Sequence, residues 1–243
     1  MYDKRILIIS PFRNEEHSVP HYLKSLANIS YPQNLIDVCW FENDSSDDTY
    51  KLLFNYIQPG GLRDFNYFSL EHLTIMGKIE KSKTFTYYKD IPYGKNRIKP
   101  WLVIWNEYFI PTILKSRCDY VLIWFADCVA PPNVIEEYLK VYEQYPDCGW
   151  VGGEMWRRHP RERECISPWQ YGNKVPKEIT KVPFASSHCW LSKKEYFEDV
   201  EFRYHKADMH ISIIEQFKEK GLYVYFQPSV KLKHVSNDGK IYK

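Results

Sequence analysis

Two short polar stretches of this chain carry side chains suited to recognising a nucleoside. Pro11-Phe-Arg-Asn-Glu-Glu16 and Glu42-Asn-Asp-Ser-Ser-Asp-Asp-Thr49 each follow an apolar run. Their carboxylates and amides could accept hydrogen bonds from a base N–H and a ribose hydroxyl. Asn, Asp and Ser also make turns and cap helices, so residue type alone leaves both readings open. Further along, Tyr93-Gly-Lys-Asn-Arg-Ile-Lys99 offers Lys95, Arg97 and Lys99, which could neutralise phosphates or form a solvated turn. Asp127 ends Tyr120-Val-Leu-Ile-Trp-Phe-Ala126, the most apolar run of the chain. Asp208 precedes a helical pattern, where a carboxylate can serve as a general base, an N-cap, or both. Gly152-Gly-Glu-Met-Trp156 combines glycine, which admits close approach to backbone, with a tryptophan whose flat face can stack on a ligand, and Ala185-Ser-Ser-His-Cys-Trp190 brings a second tryptophan.

The elements that must position these residues can be read from hydrophobic periodicity. Arg5–Ser10 is a continuous apolar run of the kind buried on both faces in a parallel sheet. Val19, Tyr22, Leu23, Leu26 and Ile29 recur at helical spacing after Ser18. Leu35–Phe41 reads as a second strand and Thr49–Ile57 as a second amphipathic helix. A βαβα order within sixty residues predicts an open α/β sheet, with ligands at the carboxyl ends of its strands. Phe65–Leu70 is a candidate strand, and Gly77–Lys89 reads as a mobile loop. Trp101–Leu114 is helical, Tyr120–Ala126 is the central strand, Asn133–Tyr145 is a helix and Gly149–Gly153 a strand. Residues 155–185 form a basic, aromatic stretch without a dependable period. Cys189–Leu191, Ile211–Lys220 and Tyr223–Gln227 follow as strand, helix and strand, and a Lys-rich tail holds His234.

The chain has 243 residues, 44% of them hydrophobic and 26% charged, which fits one folded domain and excludes a disordered chain. Lys+Arg 33 against Asp+Glu 31 leaves a net charge of +2, too small to propose nucleic acid or membrane binding from bulk charge. The six cysteines include no Cys-x-x-Cys pair, and Cys39 and Cys128 lie within apolar runs. Buried free thiols and a reducing, cytoplasmic setting are therefore expected. No apolar run approaches the 18 or so residues needed to span a bilayer. Aromatic residues make up 17%, enough both to fill a core and to line a cleft.

Ile8-Ile-Ser-Pro-Phe-Arg-Asn-Glu-Glu16, followed by Trp40-Phe-Glu-Asn-Asp-Ser-Ser-Asp-Asp-Thr49, resembles the opening of the family 2-like GT-A glycosyltransferases. Glu42-Asn43 stands where that family more often has Asp-Asp. Asp119–Asp127 resembles the family's strand ending in an Asp-x-Asp metal motif, here Phe125-Ala126-Asp127, with one carboxylate retained. The resemblance implies a single GT-A domain over residues 1–243, with a mostly parallel central sheet flanked by helices. Residues 1–130 would bind the nucleotide sugar and residues 131–243 the acceptor.

By the same resemblance, Pro11, Arg13, Asn14, Glu15, Glu42, Asn43 and Asp44 would surround the base and ribose. Lys95, Arg97, Ala126 and Asp127 would lie at the diphosphate. Asp127 and a late histidine, His234, would hold Mn²⁺ or Mg²⁺, with weakened affinity in the absence of nucleotide. Asp208 would be the base of an inverting reaction, and Asp208-Met-His210 could alternatively face the metal. Gly153, Glu154, Trp156, His188 and Trp190 would flank the acceptor. The implied function is transfer of a sugar from a UDP- or GDP-linked donor to a hydroxyl of a glycan, a lipid-linked sugar, a protein or a hydroxymethylated DNA base. The competing reading is a nucleotide-sugar-binding module without catalysis. A sugar-phosphate nucleotidyltransferase would need a glycine-rich basic loop after the first strand, and Phe12-Arg-Asn-Glu-Glu16 supplies none.

Overall fold

The first apolar run forms β1 (Ile6–Phe12) in the computed structural model of the chain. The structure describes residues 2–43, 45–57, 74–76, 98–156, 165–167, 175–206 and 208–241. Because β1 is buried along its whole length, successive residues divide between two cores: Ile6 and Ile8 enter one, Leu7 and Ile9 the other. Helices α1 (Val19–Ala27) and α2 (Thr49–Ile57) cover the first core. Their apolar residues, among them Tyr22, Leu23, Leu26 and Leu53, lie at the spacing read from sequence.

The second core is covered by three abutting helical pieces, α3 (Ile98–Val103), a π-helical stretch (Ile104–Phe109) and α4 (Ile110–Lys115). The helix expected over Trp101–Leu114 is therefore interrupted. The wide π turn sets Ile104, Trp105 and Phe109 facing inward.

Strand β2 (Ile36–Glu42) runs parallel to β1, and β3 (Thr74–Met76) extends that edge. On the other side lies β4 (Tyr120–Trp124), also parallel, the central strand expected from its apolarity. A short β5 (Cys128–Val129) precedes α5 (Val134–Gln144). Strands β6 (Cys148–Trp156), β7 (Cys165–Ser167), β8 (Thr180–Val182) and β9 (Cys189–Lys193), helix α6 (Met209–Glu219) and strand β10 (Tyr223–His234) complete the order.

The sheet order is β3-β2-β1-β4-β9-β6-β10-β5, with β7 on β6 and β8 on β10. β1, β2, β3, β4, β6 and β10 point one way, and β9 runs against both β4 and β6. The fold is thus the α/β architecture expected, with one reversed strand inserted at its centre.

Several differences from the sequence reading matter for the site. Strand β10 does not stop at Gln227: it shifts register between Gln227 and Lys231 and continues to His234. His234 therefore belongs to a strand and not to a loose tail. Helix α6 starts at Met209, which makes Asp208 its N-cap. The candidate strand Phe65–Leu70 and the loop Gly77–Lys89 fall outside the described residues, as do Asp44, Lys95 and Arg97. Cys39 and Cys128 are buried free thiols, and burial pushes the Cys39 pKa up to about 12. No helix among the described residues is long and apolar enough to cross a membrane.

Candidate active site

Parallel pairing brings the carboxyl ends of β1, β2 and β4 to one edge of the sheet, so the polar loops that follow them are neighbours. The loops after β1 and β2 are tied to each other by hydrogen bonds. The Asn14 N–H donates to Ser45 Oγ at 2.9 Å, and Asn14 Oδ1 accepts from the Ser46 N–H at 2.9 Å. The Glu15 N–H donates to Thr49 Oγ1 at 2.7 Å, and the Glu16 N–H to Asp47 Oδ2 at 3.1 Å. Asn14 sits at φ 55°, a left-handed conformation that Asn tolerates better than most residues.

Glu42 is buried, and its Oε1 accepts from the Ser45 N–H at 2.8 Å. The Glu15 carboxylate accepts from Ser18 Oγ at 2.5 Å. Asn14 thus joins the two loops, while the Glu15 and Glu42 carboxylates brace the loops they belong to. Pro11 is buried within β1, Arg13 is exposed and Asn43 half-buried at the rim. The Asn43 N–H donates to the Phe12 carbonyl at 2.9 Å, closing β1 and β2 side by side at this edge.

The second group forms around the end of β4. The Cys128 N–H donates to the Phe125 carbonyl at 3.1 Å, making a turn in which Ala126 and Asp127 are buried. β5 then pairs antiparallel with the end of β10, setting His234 opposite Cys128 and beside Asp127. Asp127 Oδ2 and His234 Nε2 are 3.3 Å apart, and the Val235 N–H donates to the Asp127 carbonyl at 2.8 Å. The third member, His188, immediately precedes the reversed strand β9. Its register puts Cys189 opposite Trp124, and the Phe125 N–H donates to the His188 carbonyl at 2.7 Å. The His188 and His234 rings lie 5.0 Å apart, and one donor atom from each of Asp127, His188 and His234 lies within 4.8 Å of the others.

One carboxylate oxygen and two imidazole nitrogens form a donor set suited to a divalent transition-metal ion. Two of the three side chains are buried, so the donor set is held in place and sheltered from water. The group fits a divalent cation. His188, expected at the acceptor, is found beside Asp127 and His234.

The third group is Asp208 at the N-terminus of α6. Its Oδ1 accepts from the His210 backbone N–H at 2.8 Å and from His210 Nδ1 at 2.7 Å. Burial would raise the Asp208 pKa. The hydrogen bonds from the His210 ring and backbone N–H outweigh it and hold the carboxyl below the usual carboxylate range. His210 turns to Asp208 and into the core, not to the metal group. Phe125 lies between the two groups, its ring 5.4 Å from that of His188 and 6.2 Å from that of His210.

The acceptor expectations need correction. Trp190 is fully buried and stacked on Trp150 at 4.0 Å, so it has no face to offer a sugar. Gly153 is required by packing: a Cβ there would meet Val230 Cγ1 and the Val230 carbonyl oxygen at 2.6 Å each. Glu154 pairs with Lys231 beside an open cavity of about 900 Å³, whose lining includes neither Asp127 nor Asp208. The side chain of Trp156 lies outside the description. Sequence reasoning placed His188 elsewhere and gave His210 a different role. His234 did carry a signal: in Val230-Lys-Leu-Lys-His234 buried and exposed residues alternate, which puts the histidine on the buried face of a strand.

A mostly parallel sheet with a polar rim at the ends of β1, β2 and β4, and an Asp-His-His group beside it, has the architecture of a GT-A glycosyltransferase. The chain belongs to the Anp1 family, whose model matches residues 2–144, more than half of it. The matched span includes Asp127 and ends before His188, Asp208 and His234. A stretch of 54 residues is 37% identical to the ANP1 subunit of the mannan polymerase II complex of Saccharomyces cerevisiae, covering 22% of this chain and 11% of that protein.

Among solved structures, the mannosyltransferase PcManGT of Pyrobaculum calidifontis, in complex with GDP-Man and Mn²⁺, is similar with a TM-score of 0.62 at 17% identity. The match covers 98% of this chain and 59% of that one. TarS of S. aureus in complex with UDP-GlcNAc has a TM-score of 0.55 at 14% identity, over 91% of this chain and 58% of that one. This chain thus spans about 60% of the length of these two structures, and the likeness to them is one of fold.

Proposed function

We propose that this chain transfers a sugar from a nucleotide-diphosphate-sugar donor to a hydroxyl acceptor, with inversion at the anomeric carbon. The observation that carries the reading is the convergence, beside the nucleotide-side loops, of Asp127, His188 and His234 with Asp208 across the Phe125 ring. The rim after β1 and β2 would take the base and ribose through Arg13, Asn43 and the buried Glu42. Lys95 and Arg97 are retained as candidates for the phosphates. Asp127, His188 and His234 would hold Mn²⁺, which when bound offsets the charge gathering on the departing diphosphate.

Asp208 is the base. Its carboxylate takes the proton of the acceptor hydroxyl as the oxygen bonds to the anomeric carbon, and the bond from that carbon to the phosphate oxygen breaks with its electron pair leaving on the nucleotide diphosphate. A carboxyl held below its usual range stays ionised at neutral pH, as this role requires. GDP-mannose is the first donor to test, because a relative belongs to a mannan polymerase complex and a structural neighbour binds GDP-Man. UDP-linked sugars are the second class.

The test is a calorimetric titration with GDP-mannose, UDP-N-acetylglucosamine and the free nucleotides, with and without Mn²⁺, followed by assay of donor hydrolysis. Metal-dependent binding with hydrolysis of one donor is expected. Binding that ignores metal and gives no hydrolysis would replace this reading with a nucleotide-sugar-binding module, a role consistent with the lone carboxylate of the motif. No binding at all would remove both.

A further inference from the structure

His210 is buried at 3% exposure, one residue inside helix α6, and its environment divides its two nitrogens sharply. Nδ1 meets Asp208 Oδ1 at 2.7 Å. Nε2 is buried and has no hydrogen-bond partner among the described residues. Around the imidazole stand Trp105, Trp150, Trp190 and Phe202, with ring centroids at 6.0, 5.9, 6.5 and 5.8 Å and planes crossing it at 86°, 77°, 88° and 88°. These four rings are themselves packed face to face, Trp105 on Phe202 at 4.0 Å and Trp150 on Trp190 at 4.0 Å. The imidazole is thus wedged in an aromatic cage that fixes its orientation.

An ionised carboxylate only accepts hydrogen bonds, so the proton between Asp208 and His210 belongs to Nδ1. An ordinary N-cap needs one backbone N–H and no histidine. Here the same carboxylate oxygen takes two donors, the His210 backbone N–H and the His210 ring, and both are held by the helix and the cage.

We propose that His210 is the positioning residue of Asp208: caged by aromatic rings, it pins Oδ1 through Nδ1–H and thereby aims Oδ2 at the acceptor hydroxyl. The inference rests on the reading of Asp208 as the base. Two donors on one oxygen fix the carboxylate's rotation about its χ2 bond, which one N-cap bond leaves loose. A base transfers protons efficiently only when its free oxygen lies within hydrogen-bond reach of the proton it takes.

Three variants separate the possibilities. His210→Phe fills the cage with a ring of similar size and deletes the donor. His210→Asn keeps an N–H near the place of Nδ1 and gives up the ring. Asp208→Asn removes the base itself. Turnover is read as Mn²⁺-dependent hydrolysis of GDP-mannose and of UDP-N-acetylglucosamine, alongside melting temperature. His210→Phe is expected to lower kcat about 10- to 100-fold, with the donor KM within about twofold and melting unchanged. His210→Asn should recover most of the lost kcat.

Equal losses in Phe and Asn, or an unaltered kcat in Phe while Asp208→Asn abolishes turnover, would overturn the positioning role. Full kcat in Asp208→Asn would instead remove the reading of Asp208 as base. A second measurement needs no turnover. In ¹⁵N-histidine spectra the His210 ring should be protonated at Nδ1, with a resonance that vanishes in His210→Phe and shifts in Asp208→Asn. An Nε2–H tautomer at His210 would overturn the inference whatever the kinetics.

Discussion

Two regions at the edge of the sheet bring their polar residues together in different ways. At the ends of β1 and β2, the candidate residues lie on consecutive loops of a parallel sheet and are neighbours because the strands are. Asn14 and the backbone N–H groups of Glu15 and Glu16 tie those loops together, while the Glu15 and Glu42 carboxylates each bond within their own loop. At the end of β4 the candidates come from distant parts of the chain. Asp127 arrives from a turn, His188 from just before a reversed strand, and His234 from the end of a strand that has passed an irregularity. The first region is a rim shaped by backbone; the second is a convergence of side chains. A locally tied rim should tolerate single changes better than a cluster in which each side chain is a distinct donor.

The largest effect that would bear on this contrast is at Asp127. Asp127→Ala should abolish Mn²⁺-dependent turnover, at least about 100-fold, and remove Mn²⁺ binding measured by calorimetry, while thermal melting changes little. Wild-type activity in that variant would break the second half of the comparison. Asp208→Asn comes next: kcat should fall about 100-fold or more while nucleotide affinity stays near wild type. An unchanged kcat would point to retention of configuration or to another base.

Gly153→Ala addresses packing rather than chemistry. The added methyl would meet Val230 at 2.6 Å, and urea unfolding should show a loss of about 1–3 kcal/mol with Mn²⁺ affinity preserved. If that variant is as stable as the parent, the close approach of β6 and β10 is not what selects glycine there. Smallest is Asn14→Ala, which puts alanine at φ 55° and deletes the bond to Ser46. About 1–2 kcal/mol of stability should be lost, with only a few-fold weakening of nucleotide binding. A loss of binding as large as that at Asp127 would mean that the rim is as much a side-chain site as the cluster.

Much of the framework was legible from local pattern. The apolar runs at Ile6–Ile9 and Tyr120–Trp124 read as strands buried on both faces, and the helical spacing of Val19, Tyr22, Leu23 and Leu26 left one face to bury. The pairing of Asp127 with His234 was foreseen by type and position, and the two side chains do meet. His188 was not, because its approach to Asp127 depends on β9 running backwards between β4 and β6, and nothing local to His188 records its neighbours. Trp190 misled for a related reason: a tryptophan that can stack on a sugar can equally stack on Trp150, and only burial distinguishes them.

The sequence by itself determined the alternation of strands and helices, the polar loops at the strand ends and the carboxylates available for chemistry. These follow from hydrophobic periodicity and turn chemistry, which act over a few residues. Only the tertiary structure decided that two histidines and one aspartate share a centre, and that His210 faces Asp208 rather than that centre. Such placements depend on strand order, direction and register, which are set by burying the whole sheet at once.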